Sequence, residues 1–259
     1  MRSLQFIDLD LQADPYRTQS IGSLFDSPIR QIIAEELARS DNAVAVYRKY
    51  TARDFTLSGN IRETTSDALD SAIDQLKSKL LNRRGDLKAG WAGGYRYFDA
   101  ECKNVNIARG ATDLTQCGWS AQFYMPKPFS TDGSTQNLIS AVSGQTAGSS
   151  QLAVSNIGTY LALPYFTITL TGLEPNTSDV TITIGNPASS EYLEITSQFA
   201  DGDVLYIDTV NEQIFKNSTL LNPVGNWPAW APGAGILDYS DTGSSRTINI
   251  TATYEPRYL

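Results

Sequence analysis

The sequence predicts two modules: an α+β module followed by an all-β sandwich or jelly roll. Three observations carry that prediction. Residues 1–129 mix charged helical and strand patterns, residues 130–155 are rich in Ser, Thr, Gly and Gln, and beyond them come only short, Thr-rich, alternating segments. The break in texture divides the chain into an α+β domain over 1–130, a linker over 131–151 and a β-sandwich domain over 152–259. With 259 residues there is enough chain for each half to bury a core of its own.

In the first module, Val44 and Val46 alternate with Ala45 and Tyr47. Phe55, Leu57, Gly59 and Ile61 then alternate with Asp54, Thr56, Ser58 and Asn60, the period-two pattern of a strand with one buried face. A helix follows. Thr64 and Asp67 have capping-box spacing, and Ser66 offers another cap. Leu69, Ile73, Leu76 and Leu80 recur on one helical face, and Gly85 is the expected left-handed terminator. Residues 95–107 and 118–124 then read as a strand pair joined by a turn around Arg109 to Asp113. Pro126 and Pro128 end the pairing because proline lacks the ladder donor. The order β-β-α-β-β indicates a mostly antiparallel sheet with one helix covering a face. Residues 27–39 stay ambiguous: Pro28, Ile29, Ile32, Ile33 and Leu37 have helical spacing, but Ile29, Ile33, Glu35 and Leu37 also suit an extended arm.

The linker assignment rests on Asp132-Gly133, Gly144 and Gly148-Ser149-Ser150, a flexible composition and a long one for an internal loop. Strand patterns then recur at 166–170, 180–184, 192–196, 204–208 and 213–216. The last strand is the clearest: Ile248, Ile250, Ala252 and Tyr254 face one way, and Thr247, Asn249, Thr251 and Thr253 the other.

Composition narrows the function. Apolar content of 41%, charged content of 19%, a net charge of -8 and a pI near 4.6 describe a folded, acidic protein that would be repelled by a nucleic-acid backbone. The basic stretch Lys77, Lys79, Arg83, Arg84 and Lys88 falls at the end of the helix, where cations complement its dipole. No stretch approaches the roughly 18 apolar residues of a membrane span, and Asp8 and Asp10 interrupt the place of a signal-peptide core. No membrane insertion and no secretory route are expected. Cys102 and Cys117 lie on two predicted neighbouring strands, where they could approach each other across the pair, and read as reduced, half-buried residues.

The chain contains no histidine. Ser-His-Asp and Cys-His arrangements and His-containing zinc sites are therefore excluded, two cysteines cannot make a Cys₄ site, and no phosphate-cradling G-x-x-x-x-G-K-[ST] occurs. Glu191 and Glu194 are the tempting glycosidase-type pair, but an odd spacing on a strand sets them on opposite faces. Asp201-Gly202-Asp203 lacks the downstream Glu of a calcium loop and reads as a tight turn. Asn176, Asn217 and Asn249 begin glycosylation-like triplets that read as chance matches. No catalytic residue, metal or cofactor is expected, and the chain reads as a non-enzyme. Trp227 and Trp230, beside Pro228, are the candidate carbohydrate-binding residues, since two neighbouring indoles can stack on sugar rings. The competing reading plugs them into one end of the sandwich or into a subunit contact.

Several segments together resemble one family. They are TARDFTLSGNI at 51–61, TSDALDSAIDQLKSKLL at 65–81, FDAECKNVNIARGATDLTQCGWSAQFYMPKPF at 98–129, GDVLYIDTVNEQIFKNSTLLNPVGNWPAWAPG at 202–233 and TINITATYEPRYL at 247–259. In order and spacing this series is similar to the distal tail proteins of siphophages, bacteriophages with long non-contractile tails. The resemblance implies an N-terminal ring-forming domain, usually a hexamer, with a galectin-like C-terminal sandwich on its periphery. It implies a hub in the virion, made in the host cytoplasm, that joins the tail tube protein to tip, baseplate or fibre proteins, with the tape measure protein as a further candidate partner. The alternative function is a host-surface carbohydrate-binding module built on the C-terminal sandwich. In the family, residues corresponding to 27–39 are more often extended. The Trp-rich loop at 225–233 is no family signature, so nothing is transferred to it.

Overall fold

A computed structural model describes residues 3–27, 30–36, 43–91, 94–146, 148–171, 179–243 and 247–259. It divides into two compact units, Met1–Gly133 with Leu259, and Ser134–Tyr258.

The first unit opens with three short strands, β1 (Leu4–Phe6), β2 (Leu9–Asp10) and β3 (Tyr16–Ser20). Then come β4 (Arg30–Glu36), β5 (Ala43–Tyr50), β6 (Arg53–Arg62), α1 (Ser66–Leu80), β7 (Arg84–Trp91), β8 (Gly94–Ala108), β9 (Gln116–Met125) and β10 (Ser130–Thr131). The main sheet runs β2-β1-β7-β8-β9-β6-β3, antiparallel throughout, with β10 pairing β8 at Tyr97. The alternating strand of the sequence reading is β6: Phe55, Leu57, Gly59 and Ile61 are buried, and β9 interleaves Cys117, Trp119, Ala121, Phe123 and Met125 into the same core.

Helix α1 buries Leu69, Ala72, Ile73, Leu76 and Leu80 in that core. Each large apolar side chain removed from water here contributes roughly 2 kcal/mol. Its cap is Thr65 rather than Thr64 or Ser66, the Thr65 hydroxyl accepting from the Ala68 N–H at 3.2 Å. Thr65→Ala is expected to cost about 1 kcal/mol in urea unfolding. Nor does Gly85 end the helix. Asn82 takes the left-handed conformation at φ 56°, which its short polar side chain tolerates, while Gly85 already lies in β7.

Other expectations are also revised. The strand at 43–50 is not a neighbour of β6 in the sheet; it pairs with β4 as a separate ribbon. Of residues 27–39, Arg30–Glu36 is extended, and 28–29 and 37–39 lie outside the described residues. Cys102 stands opposite Phe123 and Cys117 opposite Ile61, so the two thiols are not cross-strand partners. Both are free and buried, and loss of solvation pushes the Cys102 thiol up to about 11.

The second unit comprises β11 (Gln136–Asn137), β12 (Val142–Thr146), β13 (Ser149–Asn156), β14 (Tyr165–Thr171), β15 (Val180–Asn186), β16 (Glu191–Ser197), β17 (Val204–Asp208), β18 (Gln213–Lys216), β19 (Thr219–Leu221), β20 (Val224–Gly225), β21 (Gly233–Asp241) and β22 (Thr247–Tyr254). One sheet runs β11-β22-β14-β17-β18-β19, with β12 also on β22, and the other β13-β21-β15-β16-β20. Phe166, Ile168, Leu170, Ile248 and Ile250 from the first meet Ile182, Ile184, Leu193, Ile195 and Leu237 from the second in one core. This is a β-sandwich, and its threonines sit where the alternation predicts. Thr171 and Thr247 share a 2.6 Å hydroxyl contact, and Thr181 and Thr196 one of 2.8 Å, typical cross-strand pairs.

Residues 131–151 contain β11, β12 and the start of β13, paired with β22 and β21, so the stretch is structured rather than a free tether. Ser, Thr and Gln serve at edge strands whose outer side faces water, which is why composition alone reads as a linker. Among the described residues no helix is long and apolar enough to cross a membrane.

Candidate functional site

Strands β4 and β5 pair from Arg30↔Tyr50 to Glu36↔Ala43, with a register shift between Ile33 and Ala34. Among the described residues, this ribbon pairs with no strand of the main sheet. One side chain fixes its base. The Arg53 guanidinium, on the strand just after the ribbon, donates to the carbonyls of Ser23 (3.2 Å), Leu24 (2.7 Å) and Asp26 on the segment just before it. Chain exit and re-entry are thereby held together. Burial lowers the Arg53 pKa and Asp26 opposes that shift; guanidinium remains charged in proteins regardless.

Beside this base, Phe25 packs on Trp91 with ring centroids 4.9 Å apart and meets Phe98 edge-on at 5.7 Å. Trp91 is 46% exposed and Tyr95 43%. The Lys88 ammonium lies 3.9 Å above the Tyr95 ring. Trp and Tyr are enriched among the residues that carry the binding energy of protein interfaces. The sequence signal for this patch is a pair of aromatics, Trp91 and Tyr95, either side of Ala92-Gly93-Gly94.

The two candidate indoles of the second unit do not form an exposed pair. Trp230 is 2% exposed, its indole N–H donates to the Ile236 carbonyl at 2.9 Å, and its ring meets Phe166 edge-on at 5.8 Å. An aromatic face inside the core cannot stack on a sugar. Trp227 is half-buried against the same core. Two buried asparagines staple the loop: Asn156 donates to Trp230 O at 3.0 Å and Asn186 to Ala229 O at 2.6 Å.

Glu191, from the tempting acid pair, accepts from Ala229 N–H at 3.1 Å and from the Ser189 hydroxyl at 2.8 Å, so it holds this loop. Glu194 points from the other face of β16 and is exposed. Asp203 closes a turn, accepting from Ala200 N–H and from the Asn217 amide, both at 2.8 Å. Of the glycosylation-like triplets, the one starting at Asn176 lies outside the described residues.

Residues 157–258 match the family model for the siphovirus-type tail component, C-terminal domain. The match covers most of the second unit. Over 99% of its length, the chain superposes on 99% of the Dit protein of phage SPP1, described as a paradigm of the hub adsorption apparatus in phages infecting Gram-positive bacteria. The TM-score is 0.65 and the identity 14%. That likeness shows that the fold of the SPP1 protein extends over both units. Chains of the phage P2 baseplate in its activated conformation align more loosely. The calcium form has 12% identity, TM-score 0.42, 95% of this chain and 92% of that one; the strontium form has 13%, 0.39 and 96% of each. Similarity that loose says nothing of function. No curated protein matches the chain.

Proposed function

We propose that this protein is a structural, non-enzymatic hub at the distal end of a long non-contractile tail. Its first unit closes into a hexameric ring, joining the tail tube protein to tip, baseplate or fibre proteins, with the tape measure protein as a further candidate contact. Synthesis takes place in the host cytoplasm and the finished protein resides in the virion.

The observation that carries this reading is the β4–β5 ribbon. A two-stranded ribbon is marginally stable in water by itself, yet this one pairs with no strand of the main sheet among the described residues. A neighbouring copy supplies the missing surface. An arm given on one side of a subunit and received on the other makes a head-to-tail interface, and such interfaces close into rings when the rotation permits.

Mass photometry of the full-length protein tests it. The expected result is a discrete hexamer that collapses to monomers when residues 28–50 are replaced by a short Gly-Ser loop, with the far-ultraviolet dichroism of the remaining sheet retained. A wild-type protein monomeric at every concentration, or a hexamer that survives loss of the ribbon, overturns the ring.

A further inference from the structure

The second sheet of the sandwich has on its outward face a concave polar site that neither Trp227 nor Trp230 lines. Register aligns Gln151 with Asp238, Asp238 with Gly185 and Gly185 with Tyr192, one row across four strands. The adjacent row is Ser149, Ser240, Thr183 and Glu194. Between them lies a groove of about 360 Å³, lined by Ser149, Gln151, Thr183, Tyr192, Asp238 and Ser240 among others. That volume suits a small ligand.

Gly185 makes the groove's floor possible. A Cβ there would collide with the Tyr192 ring, 2.6 Å from Cε1, so the missing side chain lets the ring lie down across the sheet. The Tyr192 hydroxyl then reaches Asp238 Oδ2 at 3.3 Å. Loss of solvation and the Asp238 carboxylate raise the Tyr192 pKa, so the phenol stays protonated as a donor. The other carboxylate oxygen, Asp238 Oδ1, is buried and has no hydrogen-bond partner. A carboxylate oxygen withdrawn from water without a donor is unfavourable, and a ligand hydroxyl would satisfy it.

We propose that this groove binds a neutral oligosaccharide, with Asp238 and Tyr192 as its central contacts. Neutrality follows from the lining, which holds a carboxylate and no lysine or arginine, and so disfavours phosphorylated, sulfated or carboxylated ligands. Hydroxyl richness follows from the donor and acceptor mixture. Asp238 only accepts, whereas Ser149, Ser240, Thr183 and the Gln151 amide both donate and accept, matching sugar hydroxyls that do the same. An amine would satisfy Asp238 but leave the remaining acceptors and donors without complementary partners. The site lies within the second unit and does not depend on ring formation.

The test uses the full-length protein on an array of neutral oligosaccharides built from hexoses and N-acetylhexosamines, with hyaluronan tetrasaccharide and trilysine as charged controls. Dissociation constants for the strongest neutral hit come from saturation-transfer NMR titration. At least one neutral glycan is expected to bind, Asp238→Asn to weaken it by about tenfold or more and Tyr192→Phe to weaken it less, with thermal melts close to wild type and Trp227→Ala binding normally. Absence of neutral hits, preference for either charged control, or unchanged affinity in both groove variants overturns the proposal.

Discussion

Trp230→Ala is expected to destabilise the second unit by about 4 kcal/mol, near the top of the range for core truncations. The indole is 2% exposed and lies edge-on to Phe166, so removal leaves a cavity rather than a surface dent. It also strips the donor from the Ile236 carbonyl. Relief by collapse is restricted, because the backbone of residue 230 is tied on both sides. Trp230 exchanges backbone hydrogen bonds with Ala162, at 2.8 and 3.1 Å, and Asn156 holds its carbonyl. Urea unfolding followed by dichroism measures the loss. Trp227→Ala, removing a half-buried ring, is the matched control and should cost much less. Equal and small effects from both substitutions would mean that the loop is loose and the indoles interchangeable. The contrast matters for function too: lost glycan binding in Trp230→Ala would report an unfolded sandwich, not a missing sugar platform.

What the sequence revealed depended on how local the determining interactions are. The alternation of Phe55, Leu57 and Ile61, and of Ile248, Ile250, Ala252 and Tyr254, is read directly because each inward residue is buried in the structure. The helix is equally legible from Leu69, Ile73, Leu76 and Leu80. Strands β1 and β2 are not, since Leu4–Phe6 and Leu9–Asp10 are too short for a period and exist by pairing with β7 and with each other. Strands β12 and β13 were hidden by Ser, Thr and Gln at a sheet edge. Burial of Trp230 has no local signal, because Phe166, against which its ring packs, and Asn156, which holds its carbonyl, come from strands distant in sequence. The polar groove had no local signature at all, because Gln151, Asp238, Gly185 and Tyr192 come from four strands and only the register makes them a row. The ribbon's sequence showed strand propensity, but not that its strands would leave the sheet.

Gly59→Ala is expected to destabilise the first unit by about 3 kcal/mol, the scale of severe overpacking. Gly59 sits on the buried face of β6, opposite Thr18 on β3 and Trp119 on β9. A Cβ at this position would run into the Arg17 carbonyl and lie 2.8 Å from the Thr18 Cα. Those are backbone atoms, so no side-chain rotation clears the space; strand β3 must move away. Gly110→Ala is the control, with its nearest neighbour, the Asp113 Cβ, at 3.8 Å, and should change stability little. Hydrogen exchange resolves where the loss falls: amides of β3 should lose protection while those of the second unit keep theirs. Because β3 leads directly into the segment that Arg53 clamps at the base of the ribbon, displacing it should also reduce formation of the proposed hexamer at temperatures below the melt. Wild-type melting and assembly in Gly59→Ala would show that β3 yields without cost, and that the ribbon's anchorage does not depend on the sheet edge beside it.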